Sequence, residues 1–516
     1  MICKSFLGVL LFLMLIILGS CSPFNQRNDR IYVKDYHLDS DKNEGIAISR
    51  ALSEAEKLGR GVVILEDKQY IVSFKDQNIS SNVTLLAGGK KSEITSTVSG
   101  SLFKANGQKN IKIKGIKFNG RDNNSVVLQT NTINGLEISD CAIQGMRLLK
   151  TELPTGINYS NMTEDFLNKN IKIRRNIGVG SDKKLPGAFI DLRYVENVKV
   201  LGNNITNYQH GIEWWGGDAN PSKNGALNNH RWANNISITK NTIDEIGLGG
   251  IWGSMGRNIR ITNKNRVTNC GDVGIDVEGT ISAEILNNYV KNCKNGCITT
   301  FFQNQNITIS KNVIESDIDK QYLFKIYNSS NKDNDSITFI DNKLSHVGDG
   351  IGYAGGEQVK SIDFLNNSLK NVAINFYSVN YEKIDIKDNN ILFNQLYSNE
   401  FNAVFVKGLI KNGTATIERN KIVSDVLQPV NSRGVHVILN DYNSSTKAVI
   451  RNNEIRGFST DIEVNSNSAN QGITNELVME NNVMANKNFA VPNGKLRVTL
   501  DGNRDIDGNT YNPLVK

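Results

Sequence analysis

The triplet Asn-x-(Ile/Val/Leu/Met) recurs at Asn203, Asn241, Asn265, Asn288, Asn312, Asn342, Asn367, Asn389, Asn420, Asn453 and Asn482. Successive asparagines are 38, 24, 23, 24, 30, 25, 22, 31, 33 and 29 residues apart. A floor near 22 with irregular excess above it is the spacing of a solenoid whose coils share one length and accept insertions. An alternating strand precedes each Asn, as in Ile236-Ser237-Ile238 and Ile307-Thr308-Ile309. A second short strand follows, often introduced by glycine, as in Gly274-Ile275-Asp276-Val277. Period-2 alternation turns Ile, Val and Leu inward, and stacked coils bury together what no single coil can bury. Asn is expected to take the left-handed conformation at a sharp corner and to hydrogen-bond its amide from rung to rung. The Leu-x-x-Leu-x-Leu ladder of leucine-rich repeats is absent. The expected fold is all-β, a parallel β-helix, right-handed by the general rule for parallel crossovers.

Composition agrees with this and bounds the partners. Apolar residues make up 39% and charged residues 22%, with 7 prolines against 44 glycines, which suits many short strands joined by tight turns. The formal charge of +7 mildly favours an anionic polysaccharide over a neutral one. No concentrated Lys/Arg run or helix-turn-helix pattern points to nucleic acid.

The chain ends are read separately. Lys4 followed by the apolar run Phe6 to Leu18 is too short for a membrane span and fits a signal segment over residues 1–20. Leu18-Gly19-Ser20-Cys21 resembles the bacterial lipobox, which implies cleavage before Cys21 and lipidation of its thiol. Ser22 in the next position resembles lipoproteins of the outer membrane, so a lipid-anchored envelope protein is expected. Residues 21–30 then form a linker, 31–100 a cap with a helix and first strands, 101–485 the coils and 486–516 a closing coil and cap. Asp41-Lys42-Asn43-Glu44 has capping-box spacing, and Ile48, Ala51, Leu52, Ala55 and Leu58 follow helical spacing up to Gly59. Such a helix can cover the open end of a solenoid. Strands are expected at Gly61–Leu65, Tyr70–Ser73 and Val83–Ala87. Cys270 and Cys293 occupy matching places in adjacent coils, which puts them within disulfide range, about 5 Å. Stacked free thiols are the preferred expectation, with a bond left open. No Cys/His spacing suggests zinc.

The helix, the Gly-Val-Val-Ile-Leu strand, Ser81-Asn82-Val83-Thr84-Leu85 and the coil array together resemble the pectate-lyase-like superfamily. That group includes glycoside hydrolases, polysaccharide lyases, esterases and phage tailspikes, so the resemblance implies carbohydrate chemistry without fixing the reaction. The polygalacturonase motifs Asn-Thr-Asp, Asp-Asp, Gly-His-Gly and Arg-Ile-Lys are not present as such, nor is an epimerase-like Asp-Pro-His-Glu.

Candidate chemistry follows from aligning the strands after the turns on their inward residues Ile190, Ile212, Ile251 and Ile275. Asp191, Glu213, Trp252 and Asp276 then form one outward column, and Arg193, Trp215, Ser254 and Glu278 a second. Rungs about 4.8 Å apart place Asp191 one spacing from Glu213, and Glu213 about 9.6 Å from Asp276. Inverting glycosidases hold their carboxyl groups about 6.5–9.5 Å apart, so Glu213 and Asp276 are the expected acid and base. Asp191 and Glu278 are alternates or pKa partners, and Arg193 is expected to fix an anionic substituent. The segment around His210, Trp215, His230 and Trp232 carries three of the four tryptophans within 23 residues. Together with Trp252 these residues are expected to bind sugar. Lys325 and Tyr327, on the same face, keep a lyase open, in which the acidic cluster holds Ca²⁺ against a uronate. The expected function is polysaccharide cleavage, hydrolysis ahead of elimination. A non-catalytic glycan-binding or adhesive surface protein is the rival.

Overall fold

The computed structural model describes residues 29–121, 125–217, 230–327, 334–357, 359–397, 400–428, 430–440, 445–467, 474–485, 489–490 and 496–510. The expected signal segment and Cys21 lie outside these, as do residues 218–229 of the longest insertion and much of 486–516.

Each coil contributes three strands to three parallel ladders. In one coil, Ala233–Thr239 lies in the first ladder, Thr242–Ile246 in the second and Ile251–Ser254 in the third, before Gly256–Thr262 opens the next coil. The first ladder runs from Arg30–Tyr32 to Leu496–Asp501, and the second from Gln69–Val72 to Arg504–Asp505. The third runs from Gln77–Asn78 to Phe489–Ala490. Region 31–100 thus supplies rungs as well as the cap. The result is a right-handed parallel β-helix.

Inward residues stack by type. Ile236 and Ile238 meet Ile259 and Ile261, then Ala283 and Ile285, all buried. Farther along, Phe324, Phe339 and Phe364 form an aromatic column with centroids 4.3 and 5.0 Å apart. Trp214 is fully buried because its rung neighbour is Gly253, where a Cβ would lie 1.9 Å from the indole.

The corner between the first two ladders carries a buried asparagine ladder. Asn265 Oδ1 accepts from both the backbone and the side-chain nitrogen of Asn241, each at 3.0 Å. Its own Nδ2 donates to Asn288 Oδ1 and to the carbonyl of Ile238, both at 2.9 Å. The pattern runs unbroken from Asn176 to Asn503. The left-handed residue, however, is the one before each ladder Asn (Lys240, Lys264, Asn287, Lys311), not the ladder Asn itself. The ladder residue must keep its amide pointing inward, so the φ reversal falls to its predecessor. Asparagines that are themselves left-handed form a second, exposed ladder at the corner between the third and first ladders: Asn170, Asn197, Asn235 and Asn258.

The cap helix spans Gly45–Lys57 and buries Ala47, Ile48, Ala51, Leu52 and Ala55. Leu58, expected in that face, is 48% exposed at the C-cap. The expected capping box does not form. Asn43 Oδ1 accepts from Gly45 N at 2.9 Å, and Glu44 turns away to Lys68 and to the backbone of Ile71. The three early strands are Gly61–Leu65, Gln69–Val72 and Val83–Ala87. Cys270 pairs with Cys293 across the rungs, and both are buried free thiols.

Replacing Asn265 by Ala strips partners from Asn241, Asn288 and Ile238 inside the wall. It should cost about 3–5 kcal/mol in urea denaturation. Asn258→Ala, on the exposed ladder, should cost no more than about 1 kcal/mol. Equal effects would refute the buried ladder as the organising element.

Candidate active site

The third ladder places side chains at fixed intervals because its register is unbroken here. Asp191 pairs with Glu213, Glu213 with Trp252, Trp252 with Asp276, Asp276 with Thr299 and Thr299 with Lys325. The second column reads Arg193, Trp215, Ser254, Glu278, Phe301 and Tyr327. Both columns point out of the solenoid, yet most of the acids are not in water. Asp276 is 1% exposed, Asp191 4% and Glu278 7%. Only Glu213 is partly open, its side chain 18% exposed.

Trp232 N donates to Gly216 O at 2.9 Å, and Arg231 Nε donates to Gly279 O at 2.6 Å, so residues 231–232 form a strap at the corner that follows the strands of Glu213 and Glu278. The Tyr159 hydroxyl reaches His230 O at 3.5 Å and ties an earlier loop to the strap. His230 and Trp232 stack at 5.4 Å with 5° between their planes, while the Trp215 indole N–H donates to Gly217 O.

Burial sets the electrostatics. Arg193 Nε holds Asp191 at 2.8 Å, and its other end reaches Glu213 only at 3.5 Å. Burial, then the charge of Asp191, pushes the Glu213 carboxyl up to about 7, with Arg193 opposing. Asp276 accepts from Thr299 Oγ1 at 2.6 Å and lies within hydrogen-bonding reach of Glu278. Burial raises both carboxyls above their usual range, and the charge of Glu278 adds to the rise at Asp276. A buried pair this close favours sharing one proton. The Ser254 hydroxyl donates to Glu278, and the Trp252 indole N–H approaches it without completing a hydrogen bond.

Trp252 stands between Glu213 and Asp276 in the column, so the two expected partners are separated by a ring and one of them is enclosed. His210 is buried against that ring, 4.9 Å from it, and burial lowers its pKa to about 4. Lys325 donates to Asn295 Oδ1 at 2.6 Å and lies 5.7 Å from each of the Phe301, Tyr322 and Tyr327 rings; burial lowers its pKa. Among the described residues no group of three or more His, Cys, Asp or Glu is arranged to hold a metal ion.

Arg147 belongs to the site and is not evident in the sequence. It lies against Gly187, whose Cβ would sit 2.9 Å from the guanidinium, and its charge is felt by Glu213. Its signal was the glycine one coil later that makes room for it, visible only once the rungs are paired.

The fold is a parallel β-helix with one outward face crowded by carboxyls. The sequence matches no family model and no curated protein. Among solved structures, the A-module of mannuronan C-5 epimerase AlgE4 from Azotobacter vinelandii is similar at 14% identity and a TM-score of 0.53, covering 68% of this chain and 98% of that one. The N-terminal fragment of bacteriophage Phi29 gene product 12 aligns over 92% of both chains at 11% identity and a TM-score of 0.46. At 14% identity the likeness to the AlgE4 module bears on the fold alone.

A carboxyl-carbon NMR titration should place the Glu213 midpoint near 7. Asp191→Asn removes a like charge and frees Arg193 for Glu213, and both effects favour the ionised form. The midpoint should therefore fall below about 7, with burial still holding it above the usual carboxyl range. An unchanged or higher midpoint would contradict this account.

Proposed function

We propose that this protein is a polysaccharide-cleaving glycoside hydrolase, with Glu213 as its proton donor. The observation that carries the reading is that Glu213 alone among four clustered carboxyls is partly open, and it keeps its proton up to about pH 7. Asp191 lies one rung away, about 4.8 Å along the ladder. That is near the separation of about 5–5.5 Å of retaining glycosidases. In the first step Glu213 protonates the glycosidic oxygen as its bond to the anomeric carbon breaks, and the Asp191 carboxylate, 4% exposed until substrate binding uncovers it, bonds that carbon. Water then adds its oxygen to the carbon, gives a proton to Glu213 and releases Asp191. Arg193 orients Asp191, and Arg147 adds positive charge beside both acids. Asp276 and Glu278 act as enclosed neighbours, in place of Asp276 as the base. Trp215, Trp252 and Trp232 offer flat surfaces for sugar rings. With acylation at Cys21, the site would face glycans at the bacterial envelope, the outer membrane in the reading of Ser22.

Elimination is the second reading, favoured by Lys325, whose burial makes it a better base at neutral pH than an exposed lysine. The soluble chain from Ser22 onward is assayed on acidic and neutral glycans for reducing ends and for the absorbance of unsaturated uronates. Hydrolysis predicts reducing ends without absorbance, retained anomeric configuration and rates falling as Glu213 ionises above about pH 7. Glu213→Gln should lower kcat by about 10²–10⁴. Absorbance that disappears in Lys325→Ala moves the case to a lyase. Glycan binding without turnover leaves an adhesive protein.

A further inference from the structure

The outward side of the first ladder is a different surface from the Glu213 face, and near its N-terminal end it is crowded with lysine. On four successive rungs one outward column reads Lys112, Glu137, Lys172 and Lys199. Lys109 and Lys114 flank it on the first of these rungs, and Lys169 and Arg174 on the third. Alternation puts them all on one face, because Ile111, Ile113, Ile171, Ile173 and Val198 between them are buried.

The two acids of the patch are already taken. Arg174 holds Glu137 at 2.6 Å, and Lys169 reaches Glu196 at 3.6 Å. Lys109, Lys112, Lys114, Lys172 and Lys199 have no carboxylate within ion-pair range among the described residues. Lys172 is half-buried and the other four are exposed. Lys172 and Lys199 stand directly opposite each other across a rung, a like-charge contact that costs stability. The excess does not continue along the ladder. Farther on, Arg260 is paired with Glu284 at 3.0 Å, and Lys383 holds Asp363 and Asp385 at 2.8 and 2.9 Å.

The position of the patch in the chain points to what covers it. Cys21 lies nine residues before the first strand, which starts at Arg30, a tether of at most about 32 Å. The lysine rungs run from the third to the sixth beyond that strand, about 14 to 29 Å along the ladder. An acyl group on Cys21 therefore lets this sheet face lie on the bilayer that holds it. A basic patch beside a lipid anchor complements anionic headgroups.

We propose that the lysine face docks on an anionic lipid surface, its ammonium groups against headgroup phosphates, which leaves the Glu213 face on the third ladder uncovered. The orientation rests on acylation of Cys21. The affinity of the face for anionic lipid does not, and neither needs the hydrolase reading.

Cosedimentation of the chain from Ser22 onward, which lacks the anchor, uses vesicles of phosphatidylglycerol with phosphatidylcholine and vesicles of phosphatidylcholine alone. The expected result is binding to the mixed vesicles only, lost at about 1 M salt, where the Debye length shrinks to about 3 Å. Lys112→Gln with Lys172→Gln and Lys199→Gln should weaken it about tenfold or more, with an unchanged Tm. Lys343→Gln with Lys360→Gln and Lys370→Gln removes the same charge from exposed positions on distant coils and should leave binding unchanged. Absence of binding to the mixed vesicles, or an equal loss in both triple variants, would overturn the proposal. Saturable binding of tetragalacturonate that the first triple variant loses would overturn it too, and would give the face to an acidic glycan.

Discussion

The buried asparagine ladder is the constraint on which the rest of the structure depends. Each amide satisfies the backbone nitrogen and the side chain of the asparagine before it, so the corner can neither slip by one residue nor shear between coils without stranding polar groups in the wall. A one-residue slip in a strand would exchange inward and outward faces. By pinning one corner in every coil, the ladder fixes which residues of the third ladder face outward. Length variation is left to the other corners, where the strap around Arg231 and the one-residue turn at Asn371 occur.

That division explains how much the sequence disclosed. The repeat, the strand before each Asn, the Gly-led strand after it and the pairing of Asp191 with Glu213 and of Trp252 with Asp276 were legible, because period-2 alternation and a recurring Asn are local signals. The short strand directly after the Asn, such as Thr242–Ile246, was not. Asn176 escaped because Gly178 stands where its triplet should have an aliphatic residue; the Phe189 ring fills that space, 2.5 Å from a would-be Cβ. Asn503 escaped because Asp505 holds the same position. The assignment of the left-handed φ to the ladder Asn failed for a physical reason: one residue cannot both reverse the chain and keep its amide in the wall. The capping box failed because Glu44 finds Lys68 and the Ile71 backbone in the second ladder, partners that helical spacing does not reveal.

Burial at the site was not legible, since alternation tells which face a side chain takes and not how deep it lies. Residues 231–232 span from Gly216 to Gly279, and Tyr159 meets His230 from 71 positions away. Outward-pointing acids are ordinarily solvated, and alternation alone gives no reason to expect Asp276 to be enclosed. Enclosure raises the carboxyls of Asp276 and Glu278 above their usual range, while Glu213, the one partly open to solvent, is raised to about 7.

A second group on the same ladder shows why the raised pKa of Glu213 is not a general property of acids on this wall. Near the C-terminal end, Glu463 pairs with His436 across a rung, Arg433 contacts its carboxylate, and Asn465 donates to it at 2.9 Å. Burial acts on Glu463 too, but the Arg433 and Asn465 hydrogen bonds outweigh it and its pKa is lowered. At Glu213 the arginine is committed to Asp191 at 2.8 Å and stands off at 3.5 Å, so desolvation prevails. The residue types are alike in the two groups and the sign is opposite. What separates a structural ion pair from a poised acid here is which carboxylate the guanidinium grips, and that is set by Asp191 and Arg193 lying two residues apart on one strand, with Glu213 across the rung.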